Sequence, residues 1–160
     1  MIVDKRLKLS SFEPLLERFF ALTGKKILRL HNEWDTSHGT PVFTIRGKYA
    51  SRGWTEWTQG FMYGCQILQF DATGDEAFWA LGRANTVRYM APHVSHTGVH
   101  DHGFNNVSTY GNLRRLALEG RTRESEDALQ GYALALKISG AVQAARWSML
   151  EDGTGFIYSF

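Results

Sequence analysis

Apolar residues recur along this chain mainly at helical spacing. Phe12, Leu15, Leu16, Phe19 and Phe20 fall at i, i+3, i+4, i+7 and i+8, which predicts an amphipathic helix beginning near Ser10 or Ser11. Ser10 and Glu13 have capping-box spacing, and Gly24 reads as the C-terminal stop. From Leu30 to Gly53 the periodicity breaks around Gly39, Pro41, Gly47 and Gly53. Within it, Val42-Phe43-Thr44-Ile45 reads as a short strand or an extended loop. A connection of that length points to function, because long structureless loops are otherwise uncommon.

A second helix is expected from about Thr55 to Thr73, closed by Gly74. Trp57, Phe61, Gly64, Cys65, Leu68 and Ala72 form its continuous apolar face, and Ile67 and Phe70 widen it; a helix apolar on more than one side is a buried one. Asp75 caps a third helix through about Met90, with Ala77, Leu81, Ala84 and the adjacent Phe78 as its stripe, and Pro92 ends it. His93 to His102 is a short polar loop. A fourth helix follows from about Phe104 to Leu118, stopped by Gly120, and a fifth runs from the cap Ser125 through about Trp147. The tail from Glu151 is punctuated by Gly153 and Gly155 and then turns apolar. This pattern predicts one all-α domain with inner and outer helical layers. The apolar run ends at Phe160 with no cap or polar tail, as in a truncated chain.

Composition narrows the class. The 160 residues are 43% hydrophobic and 21% charged, with a net charge of +2, as in an ordinary globular protein. The basic runs at Lys5-Arg6-Leu7-Lys8 and Arg114-Arg115 are short and far apart, which argues against a nucleic-acid partner. No stretch approaches the roughly 20 apolar residues that cross a bilayer. The lone Cys65 allows no internal disulfide and reads as a small buried hydrophobe. With the N-terminus turning charged at once, the expected location is the cytoplasm. Five Trp, ten Phe and six Tyr exceed an average core's needs, and such rings serve equally for packing or for stacking on sugars.

Candidate chemistry concentrates in Gly98-Val99-His100-Asp101-His102-Gly103-Phe104, a loop feeding a helix. Asp101 there is either a helix cap or a reactive carboxylate; the helix N-terminus favours its anion, whereas burial near aromatics favours its acid. His93, His96, His100 and His102 raise a metal-dependent hydrolase as an alternative, but their spacing matches no zinc pattern. Trp54 and Trp57 lie three apart and offer a stacking platform, or simply core. Gly60 and Gly64 allow close helix approach or leave room for a ligand. Gly153 and Gly155 follow a helix rather than a strand, so they do not suggest nucleotide binding.

Together these segments resemble glycoside hydrolase family 88, the bacterial unsaturated glucuronyl hydrolases. The resemblance rests on Trp57-Thr58-Gln59-Gly60-Phe61-Met62-Tyr63-Gly64, on Thr73-Gly74-Asp75-Glu76 and on His100-Asp101-His102-Gly103-Phe104, in family order and separation. It covers most of the chain from Trp54 onward. It implies an (α/α)6 barrel of six helical hairpins, of which this chain would hold an N-terminal portion. It implies removal of a 4,5-unsaturated uronic acid from the non-reducing end of lyase-generated oligosaccharides, by hydration of the C4=C5 double bond and without a cofactor. Asp101 would be one of two essential aspartates, with Trp57, Trp54, His100 and Phe104 against the sugar. The family's second aspartate lies downstream of a segment resembling Gly153 to Phe160, so these residues alone are expected to be inactive. His102 replaces a usually aliphatic residue, which implies altered substrate choice or altered acidity of Asp101. A non-catalytic sugar-binding protein on the same helical scaffold is the alternative.

Overall fold

The sequence folds into helices wherever its apolar spacing demands them, and the computed structural model is 65% helix with little sheet. It describes residues 6, 8–53 and 57–159. Trp54 and the expected helix start at Thr55 lie outside the described residues. The chain divides into two compact units between Trp34 and Asp35. No helix among the described residues is long and apolar enough to cross a membrane.

The first unit is built on α1, Glu13–Glu33. The expected capping box does not form. Phe12 occupies the cap without a side-chain bond, Pro14 sits in the first turn where its missing N–H costs nothing, and the Ser11 hydroxyl donates instead to the Lys8 carbonyl at 2.6 Å. Nor does Gly24 stop the helix, which runs on to Glu33. One interior glycine costs only about 1 kcal/mol relative to alanine. An Arg29–Glu33 pair at 2.9 Å one turn apart supports the last turns.

In the second unit the anticipated long connection is an antiparallel hairpin of β1, Thr40–Ile45, and β2, Lys48–Arg52. Arg46 and Gly47 turn it with positive φ values of 51° and 77°, as a two-residue hairpin turn requires. Next come α2 (Thr58–Thr73), α3 (Glu76–Tyr89) and the short α4 (Ala91–Val94). A nine-residue π-helix, Gly103–Gly111, continues directly into α5, Asn112–Leu118. After α6, Glu126–Ala144, the chain forms a second hairpin of β3, Trp147–Met149, and β4, Gly155–Ile157. The helix expected to reach Trp147 therefore ends earlier, because Trp147 pairs with Ile157.

Several predicted boundaries coincide with the observed ones. Gly74 closes α2 in the left-handed conformation at φ 72°, the Asp75 carboxylate accepts from the Ala77 N–H at 3.0 Å, and the Ser125 hydroxyl accepts from the Ala128 N–H at 3.2 Å. The buried faces differ from the expected ones. Helix α2 buries Met62, Tyr63, Gln66, Ile67, Gln69 and Phe70, while Phe61 and Leu68 of the expected face are exposed. Helix α3 buries Phe78, Gly82, Asn85 and Thr86 rather than Ala77 and Ala84. Two of the buried polar side chains pair with each other, the Asn85 amide donating to Gln66 Oε1 at 2.9 Å. Leu113 and Leu116 of α5 and Tyr132 and Ala135 of α6 complete the core around α2.

Candidate functional site

Two sequence segments more than 40 residues apart meet at the start of α2. Gly60 is where they touch: a Cβ built there would lie 2.1 Å from the Phe104 carbonyl oxygen and 2.4 Å from the Asn105 Cα. One turn on, a Cβ at Gly64 would lie 2.8 Å from the Ser108 carbonyl oxygen. The glycine pair therefore serves close approach of α2 to the π-helix, and that backbone fills the space a ligand would need. Buried Asn105 locks the contact, its Oδ1 accepting from the Gly60 N–H at 3.0 Å. Early helix N–H groups have no partner within the helix, so this bond satisfies one of them. The Asn105 N–H donates in turn to the Asp101 carbonyl at 3.1 Å, carrying the contact into the loop.

This docking sets three aromatic rings side by side. Trp57 meets Phe61 edge to face at 5.5 Å between centroids, and Phe104 lies 5.7 Å from Trp57 and 5.3 Å from Phe61. Each ring is 40–47% exposed, so together they form a platform open to solvent. Of the residues expected to bind sugar, Trp57 and Phe104 are brought together here. Phe61 joins them although its spacing suggested core; it lies within the Trp57 to Gly64 segment, which could have singled it out.

Asp101 lies in the turn just before the π-helix, three residues from Phe104, with a side chain only 11% exposed. His100 lies beside it, with Nε2 3.4 Å from Asp101 Oδ1 and Nδ1 3.0 Å from the Ser159 carbonyl oxygen. Asp101 is not the N-cap of a regular α-helix, since the segment that follows is π-helical. A nearly buried carboxylate, an imidazole against it and an exposed apolar platform together suit protonation chemistry on a ring-shaped ligand.

His102 and His93 are committed to structure. His102 is 2% exposed, with Nε2 2.6 Å from the His96 carbonyl and Nδ1 2.8 Å from the Ser139 hydroxyl. A carbonyl only accepts, so Nε2 carries the proton, and in the neutral ring Nδ1 accepts from Ser139. Asn106 donates to the same Ser139 oxygen and to the His93 carbonyl, both at 3.1 Å. His102 and Asn106 thus tie a buried knot between the π-helix, α4 and α6. The buried His93 ring bonds Gln59 of α2. Burial pushes its pKa down to about 4, helped by the neighbouring His96 and His102. Among the described residues no three His, Cys, Asp or Glu side chains converge as a metal site requires. Cys65 is partly buried, and burial raises its thiol pKa to about 11, which makes it unreactive. Comparison of the chain with family models, curated proteins and solved structures returns no match.

Proposed function

We propose that this protein belongs to a glycoside hydrolase of the unsaturated glucuronyl type, acting on 4,5-unsaturated uronyl residues at the non-reducing end of oligosaccharides. What supports the reading is Asp101, its side chain 11% exposed, three residues before Phe104 in the chain, together with the open platform that Phe104 forms with Trp57 and Phe61. Two of the segments that resemble family 88 in sequence contribute its two halves. The chemistry follows from the substrate. In the C4=C5 enol ether the ring oxygen is attached to C5, so protonation at C4 leaves an oxocarbenium ion stabilised at C5. A carboxylic acid supplies that proton and its carboxylate then assists water in adding to C5, and Asp101 is one of the two aspartates that share this work. The resulting hemiketal opens to a ketone, and the hemiacetal left at C1 expels the remaining sugar as an alcohol. No cofactor enters this scheme.

On this reading the chain is an N-terminal part of an (α/α)6 barrel. The exposed apolar side chains of Leu68, Val87, Leu118, Leu134 and Ile138 agree with helices that meet further neighbours. The single cysteine, which allows no internal disulfide, agrees with a cytoplasmic setting. The test follows the ultraviolet absorbance of an unsaturated uronyl disaccharide with protein expressed from its full reading frame. Absorbance disappears with the native protein and persists with Asp101→Asn. The same platform favours a sugar-binding protein without catalysis, which would bind the disaccharide and leave its absorbance unchanged.

A further inference from the structure

Arg146, just beyond α6, is 4% exposed, and its acceptors among the described residues are backbone carbonyls. Its Nη1 donates to Thr97 O at 2.7 Å, Nη2 to Ser159 O at 2.5 Å and Nε to Tyr158 O at 3.2 Å. The guanidinium also lies over the Tyr158 ring, 4.4 Å from its centroid. Buried cations normally pair with carboxylates, so a guanidinium spent on carbonyls calls for a reason. Its rigid fork of donors joins the loop at Thr97 to the segment after β4. His100 lies where the two meet. Its Nδ1 is 3.0 Å from the same Ser159 carbonyl that Arg146 holds, and 3.1 Å from the Ser159 hydroxyl. The carbonyl cannot donate, so this contact requires the proton on Nδ1. In the neutral ring Nε2 then presents a lone pair, and Nε2 faces Asp101 Oδ1 at 3.4 Å.

We propose that Arg146 is a positioning residue: by clasping the Ser159 carbonyl it holds His100 as the Nδ1–H tautomer and turns the Nε2 lone pair toward Asp101. His100 Nε2 then faces the Asp101 carboxyl as an acceptor, which orients that carboxyl for its part in the reaction. That consequence rests on the role assigned to Asp101 above, whereas the tautomer does not. Long-range proton–nitrogen correlation spectra of the imidazoles, recorded where His100 is neutral, report the tautomer directly. The native chain shows His100 protonated on Nδ1. Arg146→Met moves the proton to Nε2, and Ser159→Ala leaves it on Nδ1, because the carbonyl remains. An Nε2–H ring in the native chain overturns the proposal without any variant having to fold, and so does an Arg146→Met protein that keeps Nδ1–H. In turnover of the unsaturated disaccharide, Arg146→Met lowers kcat about tenfold with KM changed less than about twofold. A raised KM with unchanged kcat overturns the positioning role. If the native protein leaves the disaccharide intact, the reading of Asp101 fails, and the spectra still decide the role of Arg146.

Discussion

Substituting Gly60 with alanine probes the contact on which the whole site is built. The added Cβ would sit 2.1 Å from the Phe104 carbonyl oxygen, 2.4 Å from Asn105 Cα and 2.8 Å from the Phe104 carbonyl carbon. All three are backbone atoms, so relief requires α2 and the π-helix to separate. Overpacking of this kind costs about 1–3 kcal/mol. Separation also lengthens the 3.0 Å bond from the Gly60 N–H to buried Asn105, and stranding such a group costs about 1–3 kcal/mol more. Alanine's better helix propensity returns up to about 1 kcal/mol. The net loss is about 3 kcal/mol, equivalent to a Tm lower by about 6–12 °C in a chain of this size. Gly131→Ala in α6 is the matched control, since a Cβ there meets nothing within 4 Å; it gains up to about 1 kcal/mol from propensity alone. Urea titrations followed by circular dichroism compare the variants with the native chain. Gly60→Ala as stable as the native chain to within about 0.5 kcal/mol would refute the close approach of the two segments.

Protonation of His93 makes stability pH-dependent. Its folded pKa, lowered to about 4, is below the ordinary 6.5, so between those values the unfolded chain binds the extra proton. Stability is therefore full above about pH 6.5 and falls as the pH drops toward 4, by at most about 1.4 kcal/mol per pH unit. His93→Gln flattens that part of a pH series of urea titrations, and an unchanged slope would contradict the assignment. Ser139→Ala removes the hydroxyl shared by His102 and Asn106, costing about 1–3 kcal/mol in the same titrations; a neutral result would show that the knot contributes nothing. Phe61→Ala and Phe104→Ala remove exposed rings and raise KM for the unsaturated disaccharide about three- to tenfold, from roughly 0.5–1.5 kcal/mol of ring contact each. Unchanged KM in both would exclude the platform as the sugar-binding surface.

Helix ends were legible wherever one residue decides them. Asp75 and Ser125 cap with their side chains, and Gly74 and Gly120 adopt left-handed φ values of 72°. Gly24 misled because glycine also occurs inside helices, where it costs little. The orientation of α2 was illegible for another reason: a helix apolar on most sides carries no phase. Which side turns inward was decided by Gly60, Gly64 and the Gln66–Asn85 bond, none of which a hydrophobic pattern weights. The π-helix left no periodic signal. At the site, Asp101, His100, Trp57 and Phe104 were legible as neighbours within two short segments. Arg146 and Ser159 were not, since they reach His100 from more than 40 residues away through backbone carbonyls, and a carbonyl has no sequence signature.

The central claim is that Asp101 is required for protonation of an unsaturated uronyl ring lying on the Trp57, Phe61 and Phe104 platform. Incubating an unsaturated uronyl disaccharide in heavy water with protein from the full reading frame, and locating deuterium in the product, tests it most directly. The account predicts loss of the ultraviolet absorbance with one deuterium bound to carbon at C4, and neither change with an Asp101→Asn protein whose circular dichroism matches the native one. A product free of deuterium at C4, or full turnover by Asp101→Asn, would contradict it.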